Sequence, residues 1–199
     1  MEEVLPILFA AVVGMGHAFE ADHLIAMSAI VNKRDSMLLA ARDGLYWGLG
    51  HTTTIVVVGA VIMLSKTLVF NSGYFEAAIG VMLILVGILR LSSNKKQRYS
   101  PGRSKYSYAY MIGLAHGLAG SGALVLLVMS EIADVYLGIL YLLIFGIGSI
   151  AGMLIAASLF SIPFTPRMKI NQKIRELAVG LSSLLCIIYG GWMIYVNIG

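Results

Sequence analysis

The sequence predicts an all-α polytopic membrane protein of six transmembrane helices, arranged as a 3+3 inverted repeat with both termini outside. Three observations predict it. Hydrophobic residues make up 59% of the 199 residues and charged residues only 12%, whereas about a quarter of a soluble globular chain is charged. The apolar residues form long charge-poor runs rather than alternating with polar ones. The basic residues fall almost entirely into alternate loops.

The first run, Val4–Val31, is interrupted only by His17, Glu20, Asp22 and His23. The chain begins Met-Glu-Glu without a basic leader, so this span is expected to be retained. The following runs are Gly44–Ser65, Tyr74–Leu89, Tyr106–Ser130, Val135–Phe164 and Leu177–Ile198, with the run at Tyr74 the shortest. A helix rises about 1.5 Å per residue, so roughly 20 apolar residues cross a hydrocarbon core about 30 Å thick. Backbone groups in lipid must be satisfied within the chain, which favours helices, and the runs lack the alternation of barrel strands.

Of the 14 Lys and Arg residues, Lys66 alone lies on one side of the predicted topology, with Glu2, Glu3, Glu131 and Asp134. The other 13 flank the connections between spans 1 and 2, 3 and 4, and 5 and 6. The positive-inside rule puts those connections in the cytoplasm. The formal charge of +4 is therefore topological, and nucleic acid is not an expected partner. A single cysteine, Cys186, excludes an internal disulfide framework and a cysteine-based zinc site. No Walker-type phosphate loop is present.

An internal repeat organises the chain. Gly14-Met15-Gly16-His17 matches Gly113-Leu114-Ala115-His116, Gly48-Leu49-Gly50-His51 matches Gly146-Ile147-Gly148-Ser149, and Glu76-Ala77-Ala78-Ile79-Gly80 matches Glu176-Leu177-Ala178-Val179-Gly180, at offsets of 99, 98 and 100 residues. Three spans per half invert the second half, an architecture of secondary transporters whose substrate sites lie at the midplane between repeats. Residues 1–199 are read as a single transmembrane domain, with halves 4–91 and 106–198 and a cytoplasmic linker over 92–105.

The four histidines, His17, His23, His51 and His116, all fall inside predicted spans. Ionisable groups there are rare and face a cavity or pathway. His17 lies roughly 18 Å and His116 roughly 15 Å into its span at helical rise, so both are near mid-depth. Burying Asp22 at that depth costs about 2.5–3.5 kcal/mol, which a divalent cation would offset. Imidazole nitrogens suit nickel, cobalt, copper or zinc, and Glu20 and Asp22 would ligate or orient the imidazoles. On a regular helix His17, Glu20 and His23 span about 120°, but Asp22 points about 140° from His17. Either Asp22 has another partner or the helix is unwound here, which Gly14 and Gly16 would permit. Thr52, Thr53 and Thr54 would supply hydroxyls or cap local backbone, and methionines such as Met15 and Met27 are read as packing.

His17-x4-Asp22-His23 resembles the HX4DH signature of the nickel/cobalt transporter family, and Gly48–Thr53 is similar to that family's second histidine motif. The segment Gly113–Leu124 is similar to the urease-accessory nickel permease branch. The resemblance covers most of the chain. It implies a multi-pass cell-membrane permease taking up Ni²⁺ or Co²⁺, with His17, Glu20, Asp22, His23, His51 and His116 as candidate metal residues, no cofactor of its own, no enzymatic activity, and delivery of nickel to enzymes such as urease or hydrogenase. The chain departs from the larger members in lacking their first span, which agrees with an outside N-terminus. It has Ser28-Ala29 where Asp-Asn is common, and it lacks a later FDTATE-type motif. No His-rich exporter loop is present, which favours uptake.

Two other functions compete. In a proton-linked transporter or exporter of another solute the histidines would form a relay. An intramembrane hydrolase would use Ser121 with a histidine base; the HxxExxH order misplaces the base of a zinc protease helix. Oligomeric state is not encoded in any feature of the sequence.

Overall fold

The computed structural model describes residues 4–31, 34, 36–65, 72–92, 108–118, 132, 134–164 and 171–198. All regular structure among them is helical: α1 (Val4–His17), α2 (Ala21–Val31), α3 (Met37–Ser65), α4 (Ser72–Ser92), α5 (108–118), α6 (Val135–Ser161) with a 3-10 turn at Ile162–Phe164, and α7 (Gln172–Ile198). Among the described residues, three helices are long and apolar enough to cross a membrane: Met37–Leu64, Val135–Ser161 and Glu176–Ile198. The run at Tyr74 becomes a shorter apolar stretch, Ala77–Leu89. The first run is divided between α1 and α2 by a non-helical break at Ala18–Glu20. The linker at 93–105 and the segment 119–131, which contains Ser121, lie outside the described residues.

The outer faces of α4 and α7 display Val81, Leu85, Ile88, Leu181, Leu184, Leu185 and Ile188, all about half-exposed. A contiguous apolar exterior of this kind suits lipid rather than water. The chain is a membrane protein. Inside, α6 packs against α3 and α1, and α4 packs against α7, while α2 bridges the two groups. One core cluster joins Met27 and Ala29 of α2, Leu83 of α4 and Cys186 of α7 with Trp47 and Met153. Another joins Ala10, Ile55, Ile62, Leu142 and Phe145 across α1, α3 and α6.

Small residues let these helices approach at backbone distance. A Cβ on Gly14 would overlap the Phe145 carbonyl, and one on Gly113 would overlap the Trp47 carbonyl. A Cβ on Gly148 would overlap the Ala11 carbonyl, and one on Gly50 the Tyr110 carbonyl. Each glycine and each carbonyl partner in one contact is shifted by 98 or 99 residues from its counterpart in the other. Thus α1 lies on α6 as α5 lies on α3. Between α3 and α6, Gly44 meets Met153 and Ala157, Gly48 meets Ile150, and Thr52 meets Gly146, so these two helices run antiparallel.

The threonines after His51 serve the backbone. Thr52 Oγ donates to the Gly146 carbonyl at 3.1 Å, Thr53 Oγ to Leu49 at 2.7 Å, and Thr54 Oγ to Leu114 at 2.9 Å and Gly50 at 3.3 Å. Of the two roles open to them in the sequence, the capping role is the one seen. Arg34, which reads as a loop charge, is instead buried: its guanidinium grips Asp43 through Nε and, at 2.5 Å, through Nη2, tying the end of α2 to the first turns of α3.

Candidate metal site

The site begins with the break in the first span. Gly14 and Gly16 are poor helix formers, and the last bonds of α1 tighten: Phe19 N–H donates to Gly16 at 2.9 Å and Glu20 N–H to His17 at 3.1 Å, both across three residues. The α pattern restarts when Leu24 N–H donates to Glu20 at 3.0 Å. The change of axis removes the angular conflict of a regular helix. Asp22 and His23, in the first turn of α2, now face the same interior as His17. Asp22 is also placed where the positive end of the α2 dipole favours an anion.

Four imidazoles converge from four helices. His17 closes α1, His23 opens α2, His51 lies in mid-α3 and His116 near the end of described α5. His23 is central: its ring centroid lies 4.3 Å from His116, 4.6 Å from His17 and 5.1 Å from His51. His17 and His51 are 5.3 Å apart, and His51 and His116 6.2 Å. His23, His51 and His116 are almost completely buried. Gly113 and Gly117 allow the close seating of α5, because both sit directly on backbone of Trp47 or His51.

The carboxylates stand behind the rings. Asp22 bridges two of them, with Oδ2 2.8 Å from His116 Nε2 and Oδ1 3.1 Å from His23 Nδ1. Glu20 reaches back to His17 Nδ1 at 2.9 Å and is largely exposed, with 58% of its side chain accessible. An ionised carboxylate only accepts, so these ring nitrogens donate to it. In a neutral imidazole so held, the opposite nitrogen carries the lone pair. Two such nitrogens, His23 Nε2 and His116 Nδ1, are buried with no hydrogen-bond partner, and His51 has none at either nitrogen. Buried polar atoms are rarely left so, and each such atom costs about 1–3 kcal/mol.

Among the described residues two groupings have the spacing of a metal site: His17, His23 and His51, and Asp22, His23 and His116, each with one ligand atom per residue and all such atoms within 4.8 Å of one another. Two ligands on one ion, each at about 2.0–2.2 Å, lie no more than roughly 4.4 Å apart, so small ring rotations would close either set. The six candidate metal residues named from the sequence, His17, Glu20, Asp22, His23, His51 and His116, lie together in this cluster. Glu20 and Asp22 touch imidazoles, which is the arrangement that fixes tautomer and ring orientation at metal sites.

Sequence reasoning missed Trp47. Its ring stacks on His23 at 6.0 Å and 18° and meets His116 edge-on at 5.6 Å, closing one side of the cluster. Phe145 closes another, 5.4 Å from His17. Nothing in an apolar span marks one aromatic as a wall of the site, except that Trp47 lies one turn before His51.

The chain is 33% identical over 205 residues to the urease accessory protein UreH of Bacillus sp. (strain TB-90), a similarity covering 94% of this chain and 89% of that protein. No protein-family profile matches the chain, and no solved structure matches it.

Proposed function

Because this chain belongs to the UreH-like branch of the nickel/cobalt transporter family, we propose that it is a permease for Ni²⁺ or Co²⁺ that binds the ion within the membrane among His17, Asp22, His23, His51 and His116. The observation that carries this reading is the set of buried, partnerless ring nitrogens on His23, His51 and His116. An interior that merely packed histidines would satisfy them. A divalent cation satisfies them, and also offsets the cost of a carboxylate at that depth. The Asp22 bridge alone would equally serve a proton relay, but a relay gives no reason for lone pairs left without donors.

The two ligand sets share His23, whose Nδ1 is held by Asp22 and whose Nε2 is the nitrogen left for an ion. The reciprocal glycine–carbonyl contacts of the two halves support an inverted repeat with six spans, the site lying where the halves meet. The sequence carries no His-rich exporter loop, which favours uptake over efflux. Nickel delivery to urease fits the relative's name.

Replacing His17 or His23 with alanine is expected to abolish accumulation of radioactive Ni²⁺ by cells expressing the protein. Wild-type accumulation by both variants, at equal amounts of protein in the membrane, would exclude the reading.

A further inference from the structure

We infer that Ser149 is a further residue of this site, its hydroxyl oxygen serving as a ligand to the ion held by His17, His23 and His51. The inference rests on the metal reading above and extends it to a residue on α6, a helix that contributes no other ligand.

Ser149 is completely buried, and its Oγ has no hydrogen-bond partner. A serine within a helix has an easy remedy, the carbonyl three or four residues back. The other buried serines of the described helices all use it: Ser158 bonds Leu154, Ser161 bonds Ser158, and Ser182 and Ser183 both bond Val179. Ser149 alone does not. The carbonyl four residues back is that of Phe145, and the Gly14 backbone packs against it.

Its neighbours fix which way it faces. Phe145, Gly148 and Gly152 touch α1 at Gly14, Ala11 and Met15–Ala18. Gly146, Ile150 and Met153 touch α3 at Thr52, Gly48 and Gly44. At about 100° per residue the first group lies some 40–100° to one side of Ser149 and the second as far to the other. The hydroxyl is therefore aimed between α1 and α3, at the level where α1 ends in His17 and α3 carries His51 between Gly48 and Thr52. Both nitrogens of His51 are also unpartnered.

The repeat points to the same place. Ser149 stands in the second half where His51 stands in the first, at an offset of 98 residues. The structure thus puts a small oxygen donor where an exact repeat would put a fifth imidazole. Three nitrogens and a neutral oxygen form a mixed, borderline donor set, looser than an all-imidazole cage.

A cysteine in this place is the direct probe, because thiolate bound to Co²⁺ absorbs in the near ultraviolet through sulfur-to-metal charge transfer. The full chain, purified in detergent, is titrated with Co²⁺. The wild type supplies the background, since Cys186 is buried with its sulfur against the Ile25 carbonyl. Ser149→Cys is expected to develop a saturable charge-transfer band that His23→Ala removes, and Ser149→Ala to weaken Co²⁺ binding about tenfold, the scale of one polar interaction. Co²⁺ binding by Ser149→Cys without the band overturns the inference, as does unchanged affinity in Ser149→Ala. The alanine variant decides alone if the cysteine variant does not fold. A wild type that binds no Co²⁺ defeats the metal reading itself, a different outcome from either.

Discussion

Asp22 does at residue scale what no other side chain in the cluster does: it holds two imidazoles at once, His23 and His116. Both nitrogens donate to it, which leaves both opposite lone pairs free for an ion. An asparagine has one carbonyl and one amide, so one histidine would face a donor and have to move its proton to the other nitrogen, masking a lone pair. Asp22→Asn is expected to lower Ni²⁺ affinity by about 10–100-fold, measured by calorimetric titration in detergent, with protein stability nearly unchanged. The sequence disclosed the histidines and carboxylates because ionisable groups inside an apolar run are anomalous. It did not disclose the Asp22–His116 contact, which joins residues 94 apart in the chain, nor Trp47, an ordinary residue for a span. The Arg34–Asp43 ion pair was equally hidden, since Arg34 reads as one more positive-inside charge. Its two partners are 9% and 1% exposed, so removing Asp43 takes two charge-assisted bonds from a buried guanidinium. Asp43→Ala is expected to cost about 3–5 kcal/mol in thermal or denaturant unfolding, and Arg34→Met with Asp43→Leu to recover most of it.

At the scale of elements, the conflict visible on a helical wheel, with Asp22 turned away from His17, anticipated the break at Ala18–Glu20. Two glycines upstream gave it a mechanism. The role of the other glycines was less legible, because membrane helices are glycine-rich and sequence does not say which glycines touch a neighbouring backbone. Contact geometry separates them. Gly50 and Gly148 sit against carbonyls of α5 and α1, whereas a Cβ on Gly191 would meet nothing within 4 Å. Gly50→Ala and Gly148→Ala are each expected to destabilise by about 1–3 kcal/mol, the cost of overpacking a closed interface, and to do so to a similar extent because the two contacts correspond. Gly191→Ala is expected to be neutral or slightly stabilising through helix propensity. Thermal unfolding of the three variants in one detergent checks the order. A Gly191 variant as unstable as the others would mean that the loss reflects the helix and not the interface.

At the scale of the whole molecule, the proposed uptake would be driven by the membrane potential if the charges lie as the sequence predicts. The positive-inside rule predicts a cytoplasmic place for 13 of the 14 basic residues, the side toward which an inside-negative potential draws cations. Each charge moved through 100 mV is worth about 2.3 kcal/mol. A divalent ion therefore gains about 4.6 kcal/mol, enough for more than a thousandfold accumulation with no other energy source. Exchange of one divalent ion for two protons would cancel this dependence, because no net charge would cross. Such protons would have to ride on the histidine–carboxylate contacts, which the proposed site uses to orient ligands, so electrogenic uptake is the expected mode. In proteoliposomes with an imposed potassium diffusion potential, ⁶³Ni²⁺ accumulation should rise steeply with internal negativity and collapse when the gradient is abolished, with no requirement for a pH difference. Uptake that ignored the potential and followed the pH gradient would replace electrogenic entry with proton exchange, and would make Asp22 a proton carrier as well as a positioning group.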